Sequence, residues 1–531
     1  MERFAALLDA LVYTRSRNAK LELIADYLRQ TPDPDRGWAL AALTGSLDFP
    51  AVKSSTIRAL LQDRIDPVLW TLSRDYVGDT AETASLLWPE PDGARADPPG
   101  VSEVVEHLRR MTRSTAPAEL AALLDRLDAS GRYALLKLAT GGMRIGISAR
   151  LAKTAFAQAF AVPLDEVEEY WHGLEPPYAP LFDWAAHGQP PPDTENLPLF
   201  RPFMLAHPLE GATIDVTAYV AEWKWDGIRV QTVHAAGETR VFSRSGDDIS
   251  HSFPEIAEAL RIPAVLDGEL LVRGSHQGGE EGGAASFNAL QQRLGRKLVS
   301  RKMLEQAPAF VRLYDVLILE GEDLRPLPWS ERRILLERLI ERLPASHFDL
   351  SQMLPADSFE QLAAIRATAR DDSIEGLMLK RRDSPYVAGR RTGLWYKWKR
   401  DPLLVDCVLM YAQRGSGKRS SFYSDYTFGC WDGDPDQGAE LLPVGKAYSG
   451  FTYEELKWLD RHVRTHTVNR FGPVRETDKS LVFEVAFDSI HPSKRHKSGL
   501  AMRFPRIHRI RKDKPAYEAD RIESLKALIR D

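Results

Sequence analysis

Apolar residues recur at spacings of three and four along the first third of the chain and then switch to alternation. Leu7, Leu8, Leu11 and Val12, followed by Leu21, Ile24, Ala25 and Leu28, each mark one face of a 3.6-residue period, which predicts amphipathic helices. The same spacing predicts helices over 101–111, 117–127, 132–139 and 148–160, separated by turn residues. The stretches Glu175-Pro-Pro-Tyr-Ala-Pro and Gln189-Pro-Pro-Pro-Asp193 fix too many φ angles for a helix interior or a central strand. They predict a linker that ends near Phe200. Beyond it, β-branched and aromatic residues predict strands over 219–225, 228–234, 264–272, 310–319, 376–381 and 395–399. Amphipathic helices are expected over 287–299 and 330–343, giving an α+β domain. From about Asp401 short strands, among them 405–411 and 481–487, and a helix-like 520–529 suggest a small β-barrel of the OB type.

A length of 531 residues exceeds one compact core. We divide it as an all-α domain over 1–198, including the linker, an α+β domain over 199–401 and an OB-fold domain over 402–531. Hydrophobic residues at 44% and charged residues at 27% exclude bulk disorder. The net charge of −5 argues against nucleic acid only if it is spread evenly, and it is not. Residues 1–200 hold 20 Lys/Arg against 28 Asp/Glu, whereas 380–400 hold 8 against 1 and 491–514 hold 9 against 1. A local basic patch is what meets phosphate. Cys407 and Cys430 alone cannot build a disulfide framework or a four-cysteine zinc site. With no signal-peptide pattern and no apolar run of membrane-spanning length, a soluble, cytoplasmic protein is expected.

The chemistry concentrates in Glu222-Trp-Lys-Trp-Asp-Gly-Ile-Arg229, where a lysine ends an apolar strand and an Asp-Gly turn follows at once. On a strand Lys224 and Asp226 share a face. An amine attacks only when deprotonated, and neighbouring cations would lower its pKa from ~10.4. Lys397 and Lys399, two apart, point the same way and can hold an α-phosphate as its charge builds. Glu269 and Glu375 are hard oxygen ligands suited to Mg²⁺, with Mn²⁺ as a substitute. Tyr314 can stack on a purine, and Arg229, Arg244 and Arg391 offer forked donors to phosphate. Two other patterns carry less. Gly415-Ser-Gly-Lys418 lacks the P-loop glycine at Ala412 and the hydroxyl at Arg419, and His462 with His466 has no third metal ligand and is expected to face solvent.

Taken in order, the Lys224 segment, Ser243-Arg-Ser-Gly246, Leu266-Asp-Gly-Glu-Leu270, Leu313-Tyr-Asp-Val-Leu317, Ile374-Glu-Gly-Leu-Met-Leu-Lys380 and Trp395-Tyr-Lys-Trp-Lys399 resemble the motifs of the covalent nucleotidyltransferases. The ending Arg503-Phe-Pro-Arg-Ile-His-Arg-Ile-Arg-Lys-Asp-Lys514 resembles that of ATP-dependent DNA ligases of the bacterial three-domain form. The resemblance implies ATP as cofactor and nicked duplex DNA as partner. It also implies a lysyl-AMP on Lys224, Glu269 reaching the ribose and Glu222 against the adenine. It assigns Arg509, Arg511 and Lys514 to the departing pyrophosphate. The helical leader, through Thr140-Gly-Gly-Met-Arg-Ile-Gly-Ile-Ser148, resembles a DNA-binding domain with Arg144 near phosphates. A monomer that encircles DNA, associated with the nucleoid, follows from the same likeness. The alternatives are an RNA ligase or capping-type nucleotidyltransferase and a non-catalytic DNA-end binding or scaffolding protein. The helical leader and the Arg-x-Asp-Lys ending weigh against the first, and the intact lysines and glutamates against the second.

Overall fold

A computed structural model describes the chain except residues 15, 63, 78, 92, 142, 144, 195–196, 210–213, 274–289, 291–292, 295–298, 370–373, 416–420, 494–495 and 530–531. The expected helix over 287–299, the loop from Gly415 to Lys418 and Arg144 fall wholly or largely outside the described residues. Two compact units are present, one formed by Met1–Ala159 with Asp401–Asp531 and the other by Phe160–Arg400. No described helix is long and apolar enough to cross a membrane.

Helices run from Glu2–Tyr13 to Ala149–Phe160 and bury the apolar stripes read above, with Leu8, Leu11, Ile24 and Leu28 fully inside. Capping ends them where the sequence changes. Ser16 and Asp128 each accept from a first-turn amide, and Gly45 and Gly141 close helices in the left-handed region.

In the unit Phe160–Arg400, two sheets carry the strands that matter. We number them β1 (Tyr219–Trp225), β2 (Ile228–Ala235), β3 (Glu238–Ser243), β4 (Ala264–Val272), β5 (Ala309–Leu319), β6 (Ile374–Arg381) and β7 (Trp395–Lys399). The first sheet places β6 between antiparallel β1 and β7, and the second runs β3-β2-β4-β5. The alternation of each strand decides its faces. Leu377 and Leu379 of β6 pack with Ala221 and Leu362 in one cluster, while Val220, Trp395, Val265, Leu317 and Trp329 form another. The helix Trp329–Ile340 lays Leu336 and Leu339 into the core of the second sheet, and its buried Arg332 holds Asp315 of β5 with bonds of 2.8 and 2.9 Å.

The Pro-rich stretch is not simply a linker. The helices Leu164–Trp171 and Ala179–His187 belong to this unit. Pro180 stands in the first turn of the second helix, where its missing N–H is not needed. Glu169 accepts from Arg325 at 3.0 and 3.1 Å and lies 3.2 Å from Arg201.

In Asp401–Asp531 the seven-stranded sheet is built from β8 (Leu403–Arg414), β9 (Tyr423–Trp431), β10 (Leu441–Ala447), β11 (Thr467–Phe471), β12 (Val474–Thr477), β13 (Val482–Phe487) and β14 (Arg506–Arg511), and Ser489–Pro492 pairs with Leu500–Arg503 apart from it. The long β8 pairs with β9 on one edge and divides its other edge between β13 and β12, with shifts of register along it. This is an OB-like sheet, and among the described residues no strand pair closes it into a complete barrel. A helix, Tyr453–Thr465, stands where the strand-rich reading placed none. His462 on it and His466 just after it are half-buried rather than solvent-facing, and their rings stack 3.9 Å apart. Burial, then the neighbouring His466, holds the His462 imidazole below its ordinary range.

Candidate active site

Strand register assembles the site. Gly376 of β6 pairs with Lys224 of β1 on one side and with Lys399 of β7 on the other. Met378, two residues on, pairs with Glu222 and Lys397 in the same way. Residues directly opposite share a face, so Glu222, Lys224, Lys397 and Lys399 all project from one side of this sheet. At the paired position of the middle strand there is no side chain between Lys224 and Lys399, because that residue is a glycine. Its φ of 142° and an ideal Cβ only 2.2 Å from the Trp398 carbonyl oxygen leave no room for a side chain.

Glu375 answers this cationic row. Its Oε2 lies 2.5 Å from Lys224 Nζ and 3.2 Å from Lys399 Nζ. Burial by itself would raise the carboxyl, but Lys224 and then Lys399 hold it at about 2. The carboxylate that meets the amine is thus Glu375, from a strand more than 140 residues away, while Asp226 stands in the turn after β1. Lys397 is pulled below its ordinary range by burial first, then by Arg390, Lys399, Lys224 and Arg244.

The second sheet supplies the other wall. Arg229 of β2 stands opposite Glu269 of β4. Gly227, between the nucleophile candidate and Arg229, has no space for a Cβ, which would meet the Leu270 carbonyl oxygen at 2.5 Å. Burial pushes the Glu269 carboxyl up to about 8, with Lys224 and Arg229 opposing the shift and Glu375 and Asp267 adding to it. Arg229 is clamped by Asp267 through bonds of 3.1 and 2.7 Å, donates to the Met204 carbonyl at 2.8 Å and stacks on Phe203. The Tyr386 hydroxyl also donates to Asp267, at 2.7 Å. Arg229 is therefore a fixed element of the wall.

Tyr314 is half-buried on β5, with Lys380 Nζ 4.5 Å from its ring centre. Lys380 is itself buried and donates to both oxygens of Glu222, at 3.1 and 3.2 Å, and to the Tyr314 carbonyl at 3.3 Å. It locks the carboxylate expected against adenine to the aromatic expected beneath it. Sequence reasoning gave Lys380, Asp267, Tyr386 and Arg390 no role. Lys380 had a readable signal, since it shares the β6 face of Met378 by alternation. Trp225 points away from this group and packs with Leu271, Phe310 and the Arg312 guanidinium.

Arg244 is exposed in the turn after β3, and Arg391 is exposed after Gly389–Arg390. On the C-terminal sheet, Arg509, Arg511 and Lys514 lie in or just beyond β14, each paired with a carboxylate of that sheet. In the helical region Lys20 donates to the Ile145 and Gly146 carbonyls, at 3.0 and 3.2 Å.

Residues 203–399 match the ATP dependent DNA ligase domain, and residues 419–514 match the ATP dependent DNA ligase C terminal region. The chain is 32% identical to a probable DNA ligase of Koribacter versatilis, across 100% of this chain and 96% of that one. It is 34% identical to a probable DNA ligase of Anaeromyxobacter sp., across 92% and 96%. Among solved structures, Pmar-Lig_Pre shares the fold with a TM-score of 0.62 at 18% identity, covering 96% of this chain and 99% of that one.

Proposed function

The chain belongs to the ATP-dependent DNA ligases, and on that premise we propose how its residues divide the work of sealing a nick. The enzyme joins a 3′-hydroxyl to a 5′-phosphate in duplex DNA through a lysyl-AMP and a DNA-adenylate. In the first step Lys224 Nζ forms a bond to the α-phosphorus of ATP while the bond to pyrophosphate breaks. Attack requires a lone pair on Nζ, so the ammonium gives up a proton to solvent and the Lys224–Glu375 ion pair is dissolved as the N–P bond forms. AMP then passes to the 5′-phosphate, and the 3′-hydroxyl displaces it.

One observation carries this reading: Gly376 of β6 pairs with Lys224 on one side and Lys399 on the other, so a nucleophile and a phosphate-binding cation project from one face and share the Glu375 carboxylate. Lys397 and Lys399 stabilise charge on the non-bridging oxygens of the α-phosphate. Tyr314 carries the purine, and Glu222, held by Lys380, accepts from its exocyclic amine. Arg229 frames the nucleotide as part of the wall, Glu269 reaches the ribose, and Arg244 and Arg391 meet phosphates. Arg509, Arg511 and Lys514 bind the departing pyrophosphate.

Glu269 and Glu375 fit a Mg²⁺ ion, for which Mn²⁺ can substitute. They are hard oxygen donors within electrostatic reach of each other, since Glu375 adds to the upward shift of the Glu269 carboxyl that burial causes. When bound, the ion neutralises negative charge on phosphate oxygens. The N-terminal helices and the OB-type sheet bind the nicked duplex, with Arg144 among the phosphate contacts, and the protein acts as a monomer.

Incubation with labelled ATP or labelled NAD⁺, followed by nicked DNA, tests the scheme. ATP alone should label the protein, and nicked DNA should discharge the label as the strand is joined. Lys224→Ala and Lys224→Arg should both remain unlabelled, since a guanidinium stays protonated. AMP acquired at a normal level by Lys224→Ala would reject Lys224 as the nucleophile.

A further inference from the structure

Two acidic residues on the C-terminal sheet have no part in the chemistry above, yet they hold every side chain assigned to pyrophosphate. Asp406 of β8 stands directly opposite Glu484 of β13, and Glu484 stands opposite Arg509 of β14. Like charges facing each other across a strand pair are destabilising, so this placement needs cations to hold it. Asp406 Oδ2 accepts from Lys514 Nζ at 2.8 Å and from Arg511 Nη1 at 3.3 Å. Glu484 Oε2 accepts from Arg509 at 3.1 Å and lies 3.7 Å from Arg511 Nη1, and its Oε1 lies 3.6 Å from His508 Nε2.

Asp406 is the fixed member of the pair. It is buried, its N–H donates to the Asp520 carboxylate at 2.7 Å, and its carbonyl accepts from the Asp520 N–H at 2.9 Å. Asp406 thereby orients the rotamer-rich Lys514 and shares Arg511 with Asp513, which accepts from Arg511 Nε and Nη2 at 3.1 and 2.9 Å. An ammonium has three donors and a guanidinium five, so a carboxylate can position both and still leave donors for an anion. Arg509 is more loosely held, with its side chain 59% exposed.

We propose that Asp406 and Glu484 are positioning residues for AMP loading: they preset Arg509, Arg511 and Lys514 as an array for the pyrophosphate part of ATP, with Asp406 as its anchor. This rests on the reading of those three cations as the pyrophosphate-binding group. Neither carboxylate touches the nucleotide. Each acts through the cation it holds.

The test measures single-turnover lysyl-AMP formation on the full chain, by intact mass, across a range of ATP concentrations. Asp406→Asn should raise the half-saturating ATP concentration and slow loading by about ten-fold in combined effect, the size expected for one charge-assisted hydrogen bond. Sealing of a nick already carrying 5′-AMP should change by less than about two-fold, a split that loss of fold would not produce. Asp406→Glu should recover part of the loss. In a double-mutant cycle, Asp406→Asn should add little to Lys514→Met, because both remove the same interaction. Glu484→Gln, read in the same assay, should give a smaller loss and serves if Asp406→Asn fails to fold. Normal loading by Asp406→Asn, fully multiplicative effects in the cycle, or an equal loss of pre-adenylated sealing would each overturn the proposal. If Lys514→Met and Arg511→Ala load AMP normally, the pyrophosphate reading itself fails. If they are defective while Asp406→Asn and Glu484→Gln are not, only the positioning role fails.

Discussion

Replacing Gly376 by alanine should damage both the fold and AMP loading, and the two effects can be measured apart. The residue has φ at 142°, and an added Cβ would lie 2.2 Å from the Trp398 carbonyl oxygen, 2.8 Å from Lys399 Cα and 3.0 Å from the Arg400 nitrogen. All three are backbone atoms of β7 or its end, so no side chain can swing aside. Relief requires β7 to recede by roughly 1 Å, toward the ~3.5 Å at which heavy atoms pack comfortably. A residue forced into such a backbone region costs about 1–3 kcal/mol, and overpacking costs about 1–3 kcal/mol more. A loss of roughly 2–6 kcal/mol is expected. The same recession draws Lys399 away from Lys224, and a displacement of about 1 Å at reacting groups can lower a rate by about 10²-fold. Thermal unfolding measures the first effect, and single-turnover AMP labelling well below the melting temperature measures the second. Gly321→Ala is the control: its φ is 90° and nothing lies within 4 Å of its Cβ, so it should lose stability and keep its labelling rate. Wild-type labelling by folded Gly376→Ala, or an equal rate loss in Gly321→Ala, would refute the reasoning.

Glu375 gives an expectation in pH. Its carboxyl is depressed from 4.5 to about 2, so the stabilisation is present above pH 4.5 and is lost as pH falls towards 2. The shift corresponds to at most ~3 kcal/mol. The melting temperature of Glu375→Gln should therefore lie below wild type by a constant margin between pH 5 and 8, and the margin should shrink below pH 4.5. A margin that persists undiminished at pH 3.5 would contradict the pairing with Lys224 and Lys399. A chain beginning at Phe160 should keep AMP labelling but bind nicked duplex more weakly, with a shallower dependence of affinity on salt, in a filter-binding or anisotropy titration. Equal affinity and slope in the two proteins would remove the helical region from DNA binding.

The candidate residues were legible because most sit on strands, where a spacing of two already states a shared face. Lys397 with Lys399 needed no further information, whereas the carboxylate expected beside Lys224 was Asp226 and the one found there is Glu375. The partners across strands were not legible. Lys380 reaches Glu222 over 158 positions, and Tyr386 reaches Asp267 over 119. Register sets the first of these pairs and the path of the chain after β6 sets the second, and both are properties of the folded chain. Some misses had readable signals. Thr452 and Glu455 form a capping box at the start of Tyr453–Thr465, and Leu456, Leu459 and Val463 follow at helical spacing, but the strands on either side dominated the reading. Ala179–His187 was hidden by its prolines, because Pro180 was counted as a breaker at the one place a helix accepts it.

The clamp on Arg229 has an entropic consequence for the nucleotide binding proposed above. Immobilising a long side chain when a ligand binds costs about 0.5–1.5 kcal/mol. Arg229 is already held by Asp267, the Met204 carbonyl and Phe203, so that ordering is completed during folding. Arg244 and Arg391 are exposed, and in the proposed role each would be ordered at every binding event. On that proposal, affinity drawn from those two should weaken faster with rising temperature than affinity drawn from the Arg229 wall, and the hold on the nucleotide should outlast, on warming, the hold on the phosphates assigned to Arg244 and Arg391.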